Sequence, residues 1–447
     1  MTGICGLIGR ETDDLESKAK ILLSEMKIRG QESTVFSQTL PERDNITIGI
    51  CSKAETQSFS QHAPPLILDG VFFGDDIESD AMESGPARLL QTPGAFAFLT
   101  MLKETLIAGR DIVGQKPLYF GCTTDGIISF ASLRSALNSI RVADPRPVPP
   151  GKVVSCLPNG TMSMKDFSLR QPEEHSISEP EAIEKLDDIF SEAVERVLPR
   201  GSGVAFSGGL DSGLVASAAK TKGLDPDLIS VGLKGQEELT HAREIARELG
   251  LHISVRELSD RDVLNSVSDV ARVVETDDPT IIGISIPIYF ACEKAREMGL
   301  NYLAAGQLSD ELFGGYGKFE DIALRNGTNN LGREMFESVI AASANDFDPG
   351  DKLAVAAGLE LCCPFGYLPL VEYALMLPAS LRVGRTNGRV IRKYILRRLA
   401  ARLNLPQSVV DRPKKAIQYS SGVQKVLLRE AKRRRMTLTK MLESPMD

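Results

Sequence analysis

The sequence predicts a two-domain α/β protein, and three observations carry that prediction. Its 447 residues are enough for two domains of about 100–200 residues each. The first 140 residues combine short β-strands with one helical stretch over residues 15–28, whereas strands alternate with helices after residue 180. Such alternation is typical of a parallel, doubly wound sheet. Hydrophobic residues at 42% and charged residues at 25% are ordinary for a globular chain.

The N-terminal part is predicted to be a mainly β, two-sheet domain with a helix or two. Turn signals bound six predicted strands, at 45–51, 66–73, 96–102, 105–110, 117–122 and 127–130. The chain becomes rich in proline between residues 143 and 180, which indicates a domain boundary. We therefore expect one domain over residues 1–170 and a second over residues 171–447.

The second domain shows the alternation that predicts its parallel sheet. The predicted elements are helix 180–198, strand 203–206, helix 212–221, strand 228–233, helix 238–249, strand 252–257 and helix 260–274. A largely helical region over about 318–435 is predicted to close the domain.

Several classes of protein are excluded by simple features of the sequence. No run approaches about 18 consecutive apolar residues, and the start lacks a basic region ahead of its short apolar run, so we expect neither a membrane span nor a signal peptide. The seven cysteines are an odd number without Cys-x-x-Cys spacing, which argues against a disulfide framework and a zinc site. The expected location is the cytoplasm.

The charge is unevenly distributed along the chain. Residues 382–440 contain 18 lysines and arginines but two acidic residues, although the whole chain has a net charge of −8. A segment of this kind suits a polyanion, either a nucleotide polyphosphate held by a few side chains or an RNA backbone held by many. A solvated helix face would also explain most of these charges.

One loop carries most of the chemical information. Ser207-Gly208-Gly209-Leu210-Asp211-Ser212 follows an apolar strand and opens a helix. Two glycines let backbone N–H groups approach phosphate oxygens, and the helix N-terminus and the two serine hydroxyls add favourable interactions. Asp211 can bind phosphate through Mg²⁺. The Gly-x-x-x-x-Gly-Lys-Ser/Thr pattern of a Walker A loop is absent from the sequence.

This loop resembles that of the ATP-pyrophosphatase superfamily, whose members cleave ATP between the α and β phosphates. Further motifs narrow the resemblance to the asparagine synthetase family, and they span nearly the whole chain in family order. In the synthetase half they are Ser230-Val231-Gly232-Leu233, the helix from Ala242 to His252, Ser309-Asp310-Glu311-Leu312-Phe313-Gly314-Gly315-Tyr316, the segment from Ile391 to Arg397, and Arg412-Pro413-Lys414. In the N-terminal half they are Cys5-Gly6-Leu7-Ile8-Gly9, Arg29-Gly30, and the segment from Ala108 to Tyr119.

The resemblance implies a fold and a reaction. The first domain would be an Ntn-type α+β sandwich like that of class II glutamine amidotransferases, and the second an ATP-pyrophosphatase domain with a helical C-terminal region. The enzyme would be an AMP-forming ligase that adenylates a carboxylate and then forms an amide with ammonia or an amine. Its small-molecule substrates would be accompanied by ATP and Mg²⁺.

The resemblance also implies roles for particular residues. Asp211 and Asp310 would hold Mg²⁺ on the phosphates, and Lys414 would neutralise charge that develops there. ATP or pyrophosphate would be bound by the loop residues Ser207, Gly208, Gly209, Leu210, Asp211 and Ser212 together with Val231, Gly306 and Lys393.

The acceptor region departs from the family pattern. Gln307 stands where the family has a glutamate that is proposed to take protons, and an amide cannot do so. Gly283 and Cys362 replace two arginines, the usual bidentate partners of a carboxylate. We therefore expect an acceptor other than aspartate, unless Lys318 or Arg325 restores the charge.

The glutaminase half departs further. Cys5 would be the nucleophile, but it needs a free α-amine and four residues precede it. The glutamine-binding Asn-Gly-Glu of the family reads Asp69-Gly70-Val71 here. We expect an inactive glutaminase fold in which Cys5 is an ordinary packed thiol.

Two other functions stay open from the sequence. Relatives of the loop also adenylate tRNA bases, and the basic segment would suit RNA, although no RNA-binding module is recognisable. Gln307 favours a non-catalytic nucleotide-binding protein. The oligomeric state is open as well, a homodimer included.

Overall fold

The computed structural model describes residues 1–10, 14–40, 44–53, 59–60, 65–74, 86–326, 330–386 and 388–443. The chain forms two compact units, Met1–Arg170 and Gln171–Asp447, which we call unit 1 and unit 2. Every helix in the described ranges is too short or too polar to cross a bilayer.

Among the residues that the structure describes, unit 1 contains two six-stranded antiparallel sheets. The first has the order β10-β8-β9-β1-β3-β2 and the second the order β12-β11-β7-β6-β5-β4. The strands are β1 (Thr2–Arg10), β2 (Glu32–Thr39), β3 (Asp44–Ser52), β4 (Phe59–Ser60), β5 (Leu66–Phe72), β6 (Gly94–Leu102), β7 (Thr105–Arg110), β8 (Tyr119–Cys122), β9 (Ile128–Ala131), β10 (Arg146–Pro147), β11 (Lys152–Cys156) and β12 (Met162–Asp166). All six predicted strands are confirmed, with ends that differ by a residue or two.

The two sheets pack face to face and carry helices on their outer faces. The side chains between the sheets include Ile4 and Ile48 from the first sheet and Ile67 and Leu99 from the second. On the outer face of the first sheet lie α1 (Leu15–Glu25) and α3 (Arg134–Ser139), and on that of the second lies α2 (Pro86–Gln91). The predicted α+β sandwich is therefore present, in the layer order helix, sheet, sheet, helix.

Unit 2 is built on a five-stranded parallel sheet. Its strands are β13 (Gly203–Ala205), β14 (Asp227–Leu233), β15 (Ile253–Leu258), β16 (Tyr302–Ala304) and β17 (Glu360–Cys362), in the order β15-β14-β13-β16-β17. The strand order reverses between β13 and β16. In open α/β sheets the crevice beyond the carboxyl ends of the strands at such a reversal is the usual ligand site.

The helices between these strands follow the predicted pattern closely. They are α4 (Glu179–Val197), α5 (Leu210–Thr221), α6 (Glu237–Leu249) and α7 (Asp260–Val274), and they are followed by α8 (Pro279–Glu297), which was not predicted. Because α7 begins with a capping box at Ser259 and Asp262, its start is set by its own sequence. The doubly wound sheet is confirmed.

The remaining chain is less purely helical than predicted. The helices are α9 (Ser309–Phe313), α10 (Gly317–Asn326), α11 (Leu331–Ala342), α12 (Asp348–Ala356), α13 (Leu368–Met376), α14 (Ala379–Arg382), α15 (Tyr394–Arg402), α16 (Gln407–Val410), α17 (Ile417–Ser420), α18 (Val423–Arg433) and α19 (Leu438–Glu443). The prediction is wrong at β17 and at the hairpin of β18 (Gly384–Thr386) and β19 (Arg389–Ile391). Strands of three residues are too short to show a period in sequence. A π-helical turn, Ser343–Phe347, joins α11 to α12.

Candidate active site

The glycine loop lies at the carboxyl end of β13. Gly208 has φ +68°, and a Cβ there would lie 3.1 Å from the Cα of Ala242, so the loop needs glycine at this position. Gly209 is the N-cap of α5 and donates its N–H to Ser207 Oγ at 3.3 Å. Ser212 Oγ lies 3.4 Å from Ser207 Oγ. The predicted loop is thus a tight turn that presents a helix N-terminus and two hydroxyls.

A second segment meets this loop from the neighbouring strand. Gly306 follows β16, and a Cβ at this position would lie 2.8 Å from the Cβ of Asp211. Leu308 has φ +72° and precedes α9, whose first turn contains Asp310. The two carboxylates named in the sequence therefore come from the two strands at the reversal of the sheet.

Two lysines lie between these two carboxylates. Lys393 Nζ is 2.5 Å from Asp211 Oδ1 and 2.6 Å from Asp310 Oδ1. Lys414 Nζ is 3.4 Å from Asp211 Oδ2 and 2.5 Å from Asp310 Oδ2. Ser309 Oγ donates to Asp211 Oδ1 at 2.8 Å. The four charges form one cluster at the mouth of the glycine loop.

The charges in this cluster change the proton affinity of its members. Burial alone would raise the pKa of Asp310, but Lys393 and Lys414 outweigh it and hold that pKa well below its ordinary value. Burial would likewise lower the pKa of Lys414, but Asp310 and Asp211 raise it above the ordinary lysine value. Both groups therefore stay charged near neutral pH.

One arginine fixes the segments that supply the two lysines. Arg397 donates to the backbone oxygens of Arg392, Val410 and Arg412. Arg392 adjoins Lys393, and the other two residues precede Lys414. Burial lowers the pKa of Arg397. The guanidinium group thus joins α15 to the loop that carries Lys414.

Two further carboxyl groups, those of Glu311 and Asp346, lie beside this cluster, and the sequence did not single out Asp346. Glu311 accepts a short hydrogen bond from the Tyr316 hydroxyl, and Asp346 comes from the π-helical turn. Burial, followed by repulsion from Asp346 and Asp310, raises the pKa of Glu311. Burial also raises the pKa of Asp346. Glu311 stands next to Asp310 in sequence, but no local signal places Asp346 here, since it lies 35 residues further along the chain.

The positions where this chain departs from its family lie around the same cleft. Gln307 Nε2 donates to the backbone oxygen of Asp346 at 3.1 Å, and the Cys363 thiol donates to Gln307 Oε1 at 3.3 Å. Lys318 donates to Ser338 at 2.8 Å. In the part of the chain that the structure describes, neither Lys318 nor Arg325 lines the cleft.

A cleft of about 240 Å³ contains most of these groups. Its walls come from the ends of β13, β14 and β16, from one face of α8 and from the segment that follows Lys414. The residues predicted for ATP or metal binding that line it are Ser207, Asp211, Ser212, Val231, Gly306, Asp310 and Lys414, and Gly209, Leu210 and Lys393 line an adjoining recess. The structure thus brings together the predicted residues of unit 2.

A metal ion would need a nucleotide to complete its coordination here. Within the described ranges no three His, Cys, Asp or Glu side chains gather to hold a metal by themselves. Mg²⁺ in nucleotide sites is usually held by one or two carboxylates together with phosphate oxygens and water. Asp211 and Asp310 fit that requirement.

The basic C-terminal segment is neutralised to a large extent within unit 2. Its cations pair with acidic residues of other helices, at 2.7 Å for Arg398 and Glu179 and 2.8 Å for Arg402 and Asp187. Glu430 pairs with two further arginines of its own helix. These pairs leave less free positive charge for an RNA backbone than the sequence suggested.

Unit 1 does not bring its predicted site residues together. Successive side chains of a strand point to opposite faces, and Cys5 of β1 packs against α1, with its Sγ 3.9 Å from the Ala19 oxygen. Cys5 is fully buried, and burial raises the pKa of its thiol. Asp69 lies on the inter-sheet side and accepts a hydrogen bond from Thr2 Oγ1 at 2.9 Å.

Thr2 and Asp69 belong to a buried ion-pair cluster that the sequence analysis missed. Arg29 Nη2 lies 2.7 Å from Asp69 Oδ2, and Arg29 Nε donates to the Thr2 oxygen at 2.6 Å. Thr2-Gly3-Ile4 and Cys5-Gly6-Leu7 are similar tripeptides, but their similarity does not point to Arg29 or Asp69. Their offset of three residues places Thr2 and Cys5 on opposite faces of β1.

A protein-family profile shows which family the chain with these motifs belongs to. The sequence profile of the asparagine synthase family matches residues 185–345 and 326–444, which include the glycine loop, Asp310 and Lys414. The chain belongs to the asparagine synthase family. It is a divergent member, as Gln307, Gly283 and Cys362 indicate.

Three relatives are named glutamine-hydrolysing asparagine synthetases. One of Methanocaldococcus jannaschii is 31% identical over 76% of this chain and 71% of its own length. One of Dictyostelium discoideum is 29% identical over 74% of this chain and 63% of its own. The root enzyme of Pisum sativum is 30% identical over 74% of this chain and 58% of its own. This asparagine synthase family member thus covers less than two thirds of the length of the Dictyostelium discoideum and Pisum sativum proteins.

One solved structure shows a weak similarity to this family member. The allosteric regulatory enzyme of purine biosynthesis is aligned over 57% of this chain and 80% of its own, with 15% identity and a TM-score of 0.32.

Proposed function

We propose that this protein is an ATP-dependent, AMP-forming carbon–nitrogen ligase. It adenylates a carboxylate and then joins the acyl group to ammonia or an amine. The observation that carries the proposal is the cluster of Lys393, Lys414, Asp211 and Asp310 at the mouth of the glycine loop. Membership of the asparagine synthase family supports the reaction class.

The glycine loop is proposed to bind the β and γ phosphates of ATP. Its backbone N–H groups and the N-terminus of α5 favour anions. Asp211 and Asp310 would hold Mg²⁺ against the phosphates, where the ion offsets negative charge and orients the α-phosphate. The more exposed Lys414 then turns from the carboxylates toward the phosphate oxygens.

The proposed reaction has two steps. A carboxylate oxygen of the acceptor attacks the α-phosphorus, the bond from that phosphorus to the bridging oxygen breaks, and pyrophosphate leaves with the electron pair. Lys414 stabilises the charge that develops on the departing pyrophosphate. A neutral amine then attacks the acyl carbon, the bond from that carbon to the phosphate oxygen breaks, AMP leaves with this oxygen and the electron pair, and the nitrogen releases a proton to water.

Ammonia or an amine, rather than glutamine, is the proposed nitrogen donor. Cys5 is fully buried on the helix side of β1, and Asp69 is held by Thr2 and Arg29. Neither residue is free to bind or attack a glutamine side chain. Unit 1 is therefore proposed to be a class II amidotransferase-like domain without glutaminase activity.

The proposed acceptor is not aspartate. Recognition of aspartate needs cations for two carboxylates, and each ion left without a partner costs several kcal/mol. Gly283 and Cys362 supply no charge, and Gln307 is held by Asp346 and Cys363. Aspartate supplied with saturating ammonia and ATP should therefore form little asparagine.

Product analysis tests the proposal directly. The protein is incubated with Mg²⁺, ATP, hydroxylamine as the amine and a panel of carboxylic acids, and nucleotides and hydroxamates are separated. The proposal expects AMP, pyrophosphate and one hydroxamate, all lost in Asp211→Asn. Release of ADP and phosphate would refute the superfamily chemistry, and asparagine formation from aspartate at roughly 1 s⁻¹ or faster, with ammonia in place of hydroxylamine, would refute the acceptor assignment.

A further inference from the structure

A histidine of α6 contacts the glycine loop. His241 Nε2 lies 3.1 Å from the backbone oxygen of Gly208, and a Cβ at Gly208 would lie 3.0 Å from His241 Cδ2, so the imidazole ring packs over this glycine. Because a carbonyl oxygen only accepts hydrogen bonds, Nε2 is the donor. Burial lowers the pKa of His241, and the positive charge of Arg412 lowers it further. The ring is therefore uncharged near neutral pH, and its proton is on Nε2.

This contact sets the direction of one peptide group. The Gly208 oxygen and the Gly209 N–H belong to the same peptide, and the C=O and N–H of a trans peptide point in opposite directions. Because His241 holds the oxygen toward α6, the Gly209 N–H points to the other side, where it donates to Ser207 Oγ at 3.3 Å. Ser207 and Gly209 line the same recess as Lys414. The N–H therefore lies on the side of the loop where phosphate oxygens are proposed to bind.

The residues on both sides of this peptide allow it to rotate. A flip of the peptide group changes ψ of Gly208 and φ of Gly209, and it would carry Gly209 from its φ of −87° to a positive φ. Glycine adopts positive φ readily, whereas most other residues are sterically disfavoured there. In the flipped orientation the Gly208 oxygen would face the phosphates and repel them. Two adjacent glycines therefore need a partner outside the loop to fix the orientation of the peptide between them.

We propose that His241 is a positioning residue that holds the Gly208–Gly209 peptide with its N–H toward the polyphosphate of ATP. This inference rests on the proposed function and deepens it, because it names a residue outside the loop that controls how tightly the loop binds the β and γ phosphates. The effect depends on the hydrogen bond to the Gly208 oxygen. A side chain that keeps the donor should therefore replace histidine, and one that only fills the space should not.

Two substitutions separate the hydrogen bond from packing. Glutamine carries its amide nitrogen as many bonds from Cα as Nε2 of histidine, and methionine has nearly the same length without a donor. Mg²⁺-ATP and AMP are titrated calorimetrically into wild type, His241→Gln, His241→Met and the control His175→Met, which changes an exposed histidine. His241→Met should weaken ATP binding about tenfold, as expected for the loss of one hydrogen bond, while His241→Gln and His175→Met stay close to wild type. AMP, which lacks the β and γ phosphates, should bind equally to wild type and to each variant.

A second measurement needs no nucleotide. Ligand-free crystal structures of wild type, His241→Gln and His241→Met are compared at the Gly208–Gly209 peptide. In His241→Met the Gly208 oxygen should turn away from α6 in some or all molecules, so that the density shows a flipped or a second orientation. In wild type and His241→Gln it should point toward α6.

The two measurements together decide the role of His241. Unchanged ATP binding or a single unflipped peptide in His241→Met would overturn the inference. An equal loss of ATP binding in His241→Gln would overturn it as well, because it would show a packing role, and so would weaker AMP binding in His241→Met, because it would show damage beyond the loop. If wild type binds no ATP or converts it to ADP, the proposed function fails instead, and the crystal structures still decide whether His241 sets the peptide.

Discussion

Lys393 and Lys414 contact opposite oxygens of the same two carboxylates. Lys393 lies near Oδ1 of both Asp211 and Asp310, and Lys414 lies near Oδ2 of both. Lys393 is buried, whereas the side chain of Lys414 is 28% exposed. The buried lysine therefore has the larger structural role, and the exposed one is better placed to follow a substrate.

Removal of each lysine should have a different effect. Lys393→Met leaves two partly buried carboxylates with only Lys414 as a cationic partner and should lower the free energy of unfolding by about 1–3 kcal/mol. Lys414→Met should fold but form AMP about 10²–10³-fold more slowly, the loss typical of one group that stabilises transition-state charge. Urea unfolding and AMP release measure the two effects, with exposed Lys425→Met as the control. A stable and active Lys414→Met would contradict the assigned role.

The Asp346 and Glu311 pair should make stability depend on pH. Burial raises the pKa of both carboxyls, so the folded protein keeps protons that the unfolded chain releases. The free energy of unfolding should therefore fall as the pH rises from about 5 to 8. Asp346→Asn should flatten this fall, and exposed Glu337→Gln should not. The free energy of unfolding is measured in urea at each pH. If it changes with pH in the same way for Asp346→Asn and for wild type, Asp346 does not titrate in this range.

The buried pair of Arg29 and Asp69 should stabilise unit 1. Breaking it by Asp69→Asn leaves a buried guanidinium without its counter-ion and should cost about 3–5 kcal/mol. Hydrogen exchange of β1 and β5 amides, read by mass spectrometry, should accelerate by more than tenfold. The exposed pair of Lys20 and Glu16 is the control, because Lys20→Met should leave the exchange of these amides unchanged.

Cys5 should be chemically inert and dispensable. Iodoacetamide should modify exposed Cys122 while Cys5 stays unmodified in the folded protein. Cys5→Ala should keep ammonia-dependent amide formation, and glutamine should not replace ammonia in either protein. Glutamine hydrolysis that disappears in Cys5→Ala would show that unit 1 is an active glutaminase.

Local patterns allowed much of unit 2 to be predicted. The glycine loop and the Ser309–Tyr316 motif are continuous in sequence, and strand alternation was enough to indicate that β13 and the following strands form a parallel sheet. Asp346 could not be predicted because a π-helical turn brings it to the cleft from a distant segment.

Unit 1 shows a different limit of sequence reasoning. The motif match identified Cys5 but did not show which face of β1 its side chain occupies. A shift of three residues along a strand moves a side chain to the opposite face. The ion pair of Arg29 and Asp69 joins a residue after α1 to one on β5, a contact that depends on how the two sheets pack.

The positions of Asp211 and Lys414 along the chain have a consequence for biosynthesis. At roughly 5–20 residues per second, about 10–40 s separate the synthesis of these two residues on the ribosome. During that interval the nascent chain already contains the glycine loop but lacks the lysine proposed to stabilise pyrophosphate. Nascent chains should therefore not consume ATP until the segment around Lys414 has been synthesised and has folded back onto the sheet.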